Sequence, residues 1–197
     1  MLSSISDSQN RTPVIKPQIS ISPPAIGVES SIASQVWNIL VEADTAFIPP
    51  LSMRTSGTQT GLKSTLAAQS AGTIAYFESI PHQHIITASP ATRAETLAGF
   101  LSFRPGFHLP NVPKMKPYHY VTTVIVRPAF RGNRVTQRMY ENLLATAREL
   151  NQGVATRTWA TNEAHIRLLH QLGFAEIHRI PDDRGPGIDT VYFAKDI

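Results

Sequence analysis

The chain has no cysteine. That excludes disulfides, thiolate metal sites and a cysteine nucleophile, so a packed core has to supply stability and other side chains the chemistry. No apolar run reaches the 18 residues of a membrane-crossing helix. No dense block of lysine and arginine is present either, so no nucleic-acid partner is expected. The net charge of +4 is a mild basic bias that suits an anionic ligand. Seven histidines are scattered, and the local pairs, His82 with His84 and His165 with His170, lack the i, i+4 spacing of a helical metal pair. No metal is therefore expected. Residues 1–30 are rich in serine and proline and lack the apolar stretch of a secretory signal. They are expected to form a disordered tail, and the chain to be cytoplasmic.

What is present is the composition of one globular domain, with 42% apolar residues. From residue 31 onward, Val36, Ile39, Leu40 and Ala43 recur at helical spacing, and the prolines at 49 and 50 end that helix. Residues 73–80 read as a short helix. HIITAS (84–89) and TLAGFLSF (96–103) flank a polar turn and read as a hairpin. Residues 104–117 carry four prolines and read as a long loop. YHYVTTVIV (118–126) is the clearest strand, rich in β-branched residues. Behind it, Val135, Met139, Leu143, Ala147 and Leu150 line one helical face. A strand (154–161), a helix capped by Asn162, and strands at 174–180 and 189–197 complete the order. This order implies a mixed α/β layer fold over 31–197.

Between the strongest strand and the strongest helix stands RPAFRGNRV (127–135). A strand, a glycine turn and a helix start form a ready anion site. The first amides of a helix point outward without partners, and the helix dipole adds positive potential. Gly132 allows close approach of the backbone, and Arg131, Arg134 and Arg138 add phosphate-pairing charge. The turn lacks both the GKS/GKT of a nucleoside triphosphatase loop and the three glycines of a dinucleotide fold.

VRPAFRG (126–132), followed some thirty residues later by NEAHIRLLHQLGF (162–174), resembles the GNAT superfamily of acyl-CoA-dependent N-acetyltransferases. The resemblance implies an α/β (α+β) fold with a mixed, mostly antiparallel central sheet flanked by helices, acetyl-CoA as cosubstrate and an amine as acceptor. It implies that the backbone of Val124, Ile125 and Val126 meets the pantetheine arm. Arg131, Gly132, Asn133, Arg134, Val135 and Thr136 would hold the pyrophosphate, and Asn162 would touch the cofactor. The turn departs from the family's glycine-rich pattern at Arg134 and Thr136.

Acetyl transfer needs an aligned amine, a place for its proton, a polarised carbonyl and a proton for the leaving thiolate. Many relatives place a tyrosine acid where this chain has Leu169, and a glutamate on the strand matching 118–126, where it has none. Tyr120 and His119 are the strand's titratable candidates for proton transfer. Arg54, Asp183 and Asp189, in FIPPLSMR (47–54) and DDRGPGIDT (182–190), are candidates for binding the acceptor. A small-molecule amine is favoured over a protein, and the working unit is expected to be a monomer or homodimer. The alternative is a CoA-binding sensor or interaction module without catalysis.

Overall fold

The computed structural model describes residues 17–65, 72–110, 112 and 116–197. The sheet takes in residues assigned above to the tail: β1 (Ile19–Ile21) and β2 (Ala25–Ile26) both pair antiparallel with β3 (His84–Pro90). Ile19 is the reason for the first of these, because it buries its side chain in the main core. Residues 1–16 lie outside the described set.

α1 (Ser30–Ala43) forms on the expected spacing, and Val36, Ile39, Leu40 and Ala43 are all buried. Its N-cap, Glu29, makes no side-chain capping bond. The helix therefore rests on packing, with each fully buried aliphatic side chain contributing about 1.5–3 kcal/mol. α2 (Leu62–Thr65) and α3 (Gly72–Glu78) come next. β4 (Gly99–Phe107) pairs with β3 and runs into the segment expected as loop. β5 (Tyr118–Val126), α4 (Val135–Glu149), β6 (Val154–Trp159), α5 (Glu163–Gln171), β7 (Ala175–Ile180) and β8 (Thr190–Lys195) complete the chain.

The strand order is β1-β3-β4-β5-β6-β8-β7, with β2 beside β1 on β3. Among the described residues every pairing is antiparallel except β5 with β6, which are joined through α4 and lie parallel. α4 and α5 cover one face of the sheet, where Met139, Leu143, Leu144 and Leu169 meet Leu101, Val121, Val154 and Phe193. α1 and α3 cover the other, where Val36, Leu40 and Tyr76 meet Ile85, Phe100 and Ile125.

Candidate active site

The site begins with one surplus residue. Ser102 pairs with Thr123 and Phe103 with Val121, so Thr122 is skipped in the β4 register, and its hydroxyl donates to the Ser102 carbonyl (3.1 Å). Such a bulge bends its strand and re-aims the side chains on either side of it. Before it, Tyr118 and Tyr120 share a cluster with Ala155 and Tyr192. After it, Thr123 and Ile125 turn to the α1/α3 face, where the Tyr76 hydroxyl lies 2.9 Å from the Thr123 hydroxyl. Gly57 presses against the bulge, and a Cβ there would stand 2.6 Å from that of Thr122.

β5 leaves β6 at the same point. Their pairing covers His119–Val154, Tyr120–Ala155 and Val121–Thr156, and then stops. β5 continues to Val126 along β4, and β6 continues to Trp159 along β8. The two parallel strands therefore open into a fork. The Thr156 hydroxyl donates to the Val121 carbonyl (3.3 Å) at its apex. The fork encloses a cavity of about 420 Å³, lined by Val121 to Val126, Thr156 to Trp159, Phe47, Arg131, Thr136, Asn162 and His165 among others. Here the edge groups of β5 face a cavity instead of a strand, and such groups need a hydrogen-bonding occupant.

At one end the cavity meets the RGNRV turn and a smaller space of about 290 Å³, lined by Arg131, Gly132, Arg134, Val135 and Thr136. Gly132 has φ +77°, and a Cβ there would find nothing within 4 Å, so the turn is open on that side. Arg134, the N-cap of α4, is also left-handed (φ 56°), a conformation that glycine adopts without the Cβ penalty Arg134 bears. The first amides of α4 come directly after it and have no intrahelical acceptor. Asn133 braces the turn by donating to the Phe130 carbonyl (3.1 Å), and Arg131 Nε donates to the Val126 carbonyl (3.2 Å). Arg138 points elsewhere and donates to the Ile19 carbonyl (2.7 Å), tying α4 to β1. Asn162 lines the larger cavity. Its Oδ1 caps α5 by accepting from the His165 amide (3.4 Å), and its Nδ2 donates to Thr158 Oγ1 (3.0 Å).

Of the acceptor candidates, Arg54 is buried and spends its guanidinium on the Pro49 and Ile48 carbonyls (2.7–2.9 Å), behind Phe47. Asp183 is buried too; it accepts from the Leu62 amide (3.2 Å) and the Thr190 hydroxyl (2.6 Å), fastening the 182–189 loop. Asp189 belongs to the β7–β8 hairpin, where Arg179 (3.1 Å) and the Asp182 amide (3.1 Å) engage its carboxylate. The Asp182 amide and the Arg179 guanidinium hold Asp189 below the usual carboxylate range. None of the three lines the cavity. Besides Arg131 of the turn, the cavity is lined by Arg157, on β6.

The proton-transfer candidates fare differently from expectation. Tyr120 is 1% exposed, stacks on Phe107 (4.9 Å between centroids) and has its phenol pushed well up by burial. His119 is 2% exposed and packs edge-on against Phe103 at 5.5 Å. Neither of its ring nitrogens has a partner, and burial, with His84 nearby, lowers its pKa. Neither residue lines the cavity; both stand where β5 is still paired with β6. Leu169 is fully buried in the core. Among cavity-lining residues the group with a proton to trade is His165, whose Nε2 lies 3.0 Å from the Tyr140 hydroxyl. Burial lowers this imidazole to about 4, so it is neutral at pH 7. No cluster of three or more His, Cys, Asp or Glu that could hold a metal occurs among the described residues.

The sequence model of the acetyltransferase (GNAT) family matches residues 58–174, and the chain belongs to that family; it is an acyltransferase. The fold agrees. The yncA protein of Salmonella typhimurium, solved with its cofactor acetyl-CoA, shares 16% identity over 90% of this chain and 93% of its own, with a TM-score of 0.61. A proposed acetyltransferase of Acinetobacter baylyi ADP1 shares 22% identity over 91% and 94%, also at 0.61. The ribosomal-protein-S18-alanine N-acetyltransferase of Escherichia coli shares 16% over 91% and 94%, at 0.58. No curated protein sequence matches. No helix among the described residues is long and apolar enough to cross a membrane.

Proposed function

We propose that the chain transfers the acetyl group of acetyl-CoA to a primary amine of a small molecule, by direct attack. The observation that carries this reading is the fork. A cavity runs from the open amides at the start of α4, between two strands that have lost each other's hydrogen bonds, to a polar end under Phe47 and Trp159. That is the outline of a long carrier with an anionic tail, a peptide-like arm and a reactive tip. Bound acetyl-CoA supplies an activated thioester, so the protein has to align and polarise rather than form a covalent bond of its own.

The amides of Gly132 to Thr136, with the Arg131 and Arg134 side chains, hold the pyrophosphate. The freed backbone of Val124, Ile125 and Val126 acts as a strand edge for the arm, and the Asn162 side chain meets it from the other wall. A β5 amide at the bulge polarises the acetyl carbonyl, preorganised because the bulge is held by Tyr76 and Gly57. His165, neutral and backed by Tyr140, takes the proton that the attacking amine loses and passes it to the departing sulfur. The setting proposed is the cytoplasm, and the working unit a monomer or homodimer.

The test is turnover. Release of free CoA thiol, measured with a panel of primary amines, should rise above the rate with acetyl-CoA alone for at least one acceptor. Tight acetyl-CoA binding with no turnover on any amine would leave a CoA-binding module instead.

A further inference from the structure

Three guanidinium groups gather beyond the fork. Arg184 donates to the Thr190 hydroxyl (2.9 Å) and to the Ile48 carbonyl (2.6 Å), the carbonyl that Arg54 also engages (2.8 Å). Arg157 donates to the Gly57 carbonyl (3.1 Å), the Gln59 carbonyl (2.5 Å) and the Tyr192 hydroxyl (3.4 Å). Arg54 packs over Phe47 and Arg184 over Trp159, and those two rings lie 5.7 Å apart. Arg54 and Arg184 are 5% and 3% exposed. Among the described residues none of the three has a carboxylate within 4.0 Å. The nearby carboxylate, Asp183, reaches Arg184 through the Thr190 hydroxyl and offsets one of the three charges, which leaves an excess of positive charge.

Such a cluster is costly. Each buried ion loses several kcal/mol of hydration, and carbonyl contacts solvate the charge without cancelling it. Arginine cannot escape by losing its proton near neutrality. Burial lowers Arg54 to about 10 and Arg184 to about 9, both still above neutral pH. An excess of buried positive charge beside a cavity focuses its field into that cavity.

The carrier's phosphates are not what this charge awaits. Along β6, Thr158 is bonded to Asn162 at the start of α5. Arg157 and Trp159, on alternate positions, meet Tyr192, Phe47 and Arg184 on the opposite face of the sheet. The phosphate turn belongs to the α4 side. The arginines stand at the other end of the cavity, the end that the acetyl-transfer reading leaves for the acceptor.

We infer that the acceptor is an amine that also carries an oxyanion, an amino-acid-like zwitterion, and that Arg157 binds its acidic group with Arg54 and Arg184 holding the field behind it. This deepens the acetyl-transfer reading and rests on it. The same field has a second effect. It disfavours an ammonium ion at the fork, so the bound amine releases its proton more readily. That does part of the work of the glutamate base that β5 lacks. A polyamine or lysine side chain, whose only charge is positive, is repelled.

Calorimetric titration of the protein saturated with CoA, which has no acetyl group to transfer, tests this without turnover. The probes are the common amino acids and aminoalkylphosphonates, each against its uncharged amide or ester or its decarboxylated amine. At least one acid-bearing member should bind tenfold or more tighter than its uncharged partner, the scale of a charged hydrogen-bonded pair. In Arg157→Gln that preference should fall below about threefold, while Arg157→Lys, which keeps the charge, should retain part of it. The exposed Arg179→Gln should leave it intact. The proposal is overturned if no acid outbinds its neutral partner, or if Arg157→Gln keeps the full preference. Failure of acetyl-CoA itself to bind would instead overturn the acetyl-transfer reading.

Discussion

The two ends of the fork hold positive charge in opposite ways. At the RGNRV turn the charge is exposed and mostly backbone-borne: helix-start amides, an open glycine, and Arg134 with no ion pair among the described residues. At the far end Arg54 and Arg184 are buried and Arg157 is half-buried, all held by carbonyls and hydroxyls. An exposed amide nest costs little to keep and suits an anionic ligand bound through backbone. A buried, unpaired cluster is expensive to keep, and its expense points to a particular occupant. The difference suggests that cofactor binding is tolerant of sequence change and acceptor choice is not.

The comparison can be broken most severely at the turn. Gly132→Glu places a carboxylate where a phosphate should lie and forces a side chain onto a φ of +77°. Turnover should fall at least 100-fold, with only about 1 kcal/mol of stability lost to backbone strain. Between the two ends, His165 links binding to pH. Its pKa is about 4 in the folded chain against an ordinary 6.5, so the unfolded chain binds more protons between those values. Stability should therefore be full above pH 6.5 and fall on acidification towards pH 4, by up to about 3 kcal/mol. Urea unfolding of His165→Gln at pH 7.5 and pH 5 should show a flatter dependence than wild type, together with a lower kcat.

A gentler change sharpens the contrast. Arg134→Gly removes a side chain from a left-handed residue and should raise stability by about 1 kcal/mol, while weakening acetyl-CoA only a few-fold. The smallest effect is expected at Asp189→Asn, because that carboxylate serves the hairpin and lies outside the cavity. The acceptor KM should not move.

The sequence announced the turn end because everything there is local. A β-branched strand, an arginine-glycine turn and an amphipathic helix lie within forty residues, and α1, α4 and α5 formed on their apolar spacing. The edge was harder. β1 and β2 are three and two residues long, in a stretch whose serines and prolines read as tail, and pairing with β3, with Ile19 buried in the core, orders them. The acceptor end was hidden for a different reason. Arg54, Arg157 and Arg184 come from three distant segments, and no spacing rule joins them. The signal available was a lone arginine inside the strand VATRTWAT, between small and aromatic neighbours. Tyr120 and His119 misled because strand alternation does not show a bulge. One surplus residue at 122 leaves both of them before the fork.

The measurement that decides most is thermal unfolding of the wild-type chain and of Gly132→Glu, with and without saturating acetyl-CoA. At a concentration 100 times its Kd the ligand should add about 2.7 kcal/mol. For a domain of this size that raises the melting temperature by roughly 5–10 °C. The rise should appear in the wild type and vanish in Gly132→Glu. No rise in the wild type at millimolar acetyl-CoA, or an equal rise in both, would contradict the assignment of the cofactor to the fork and its turn.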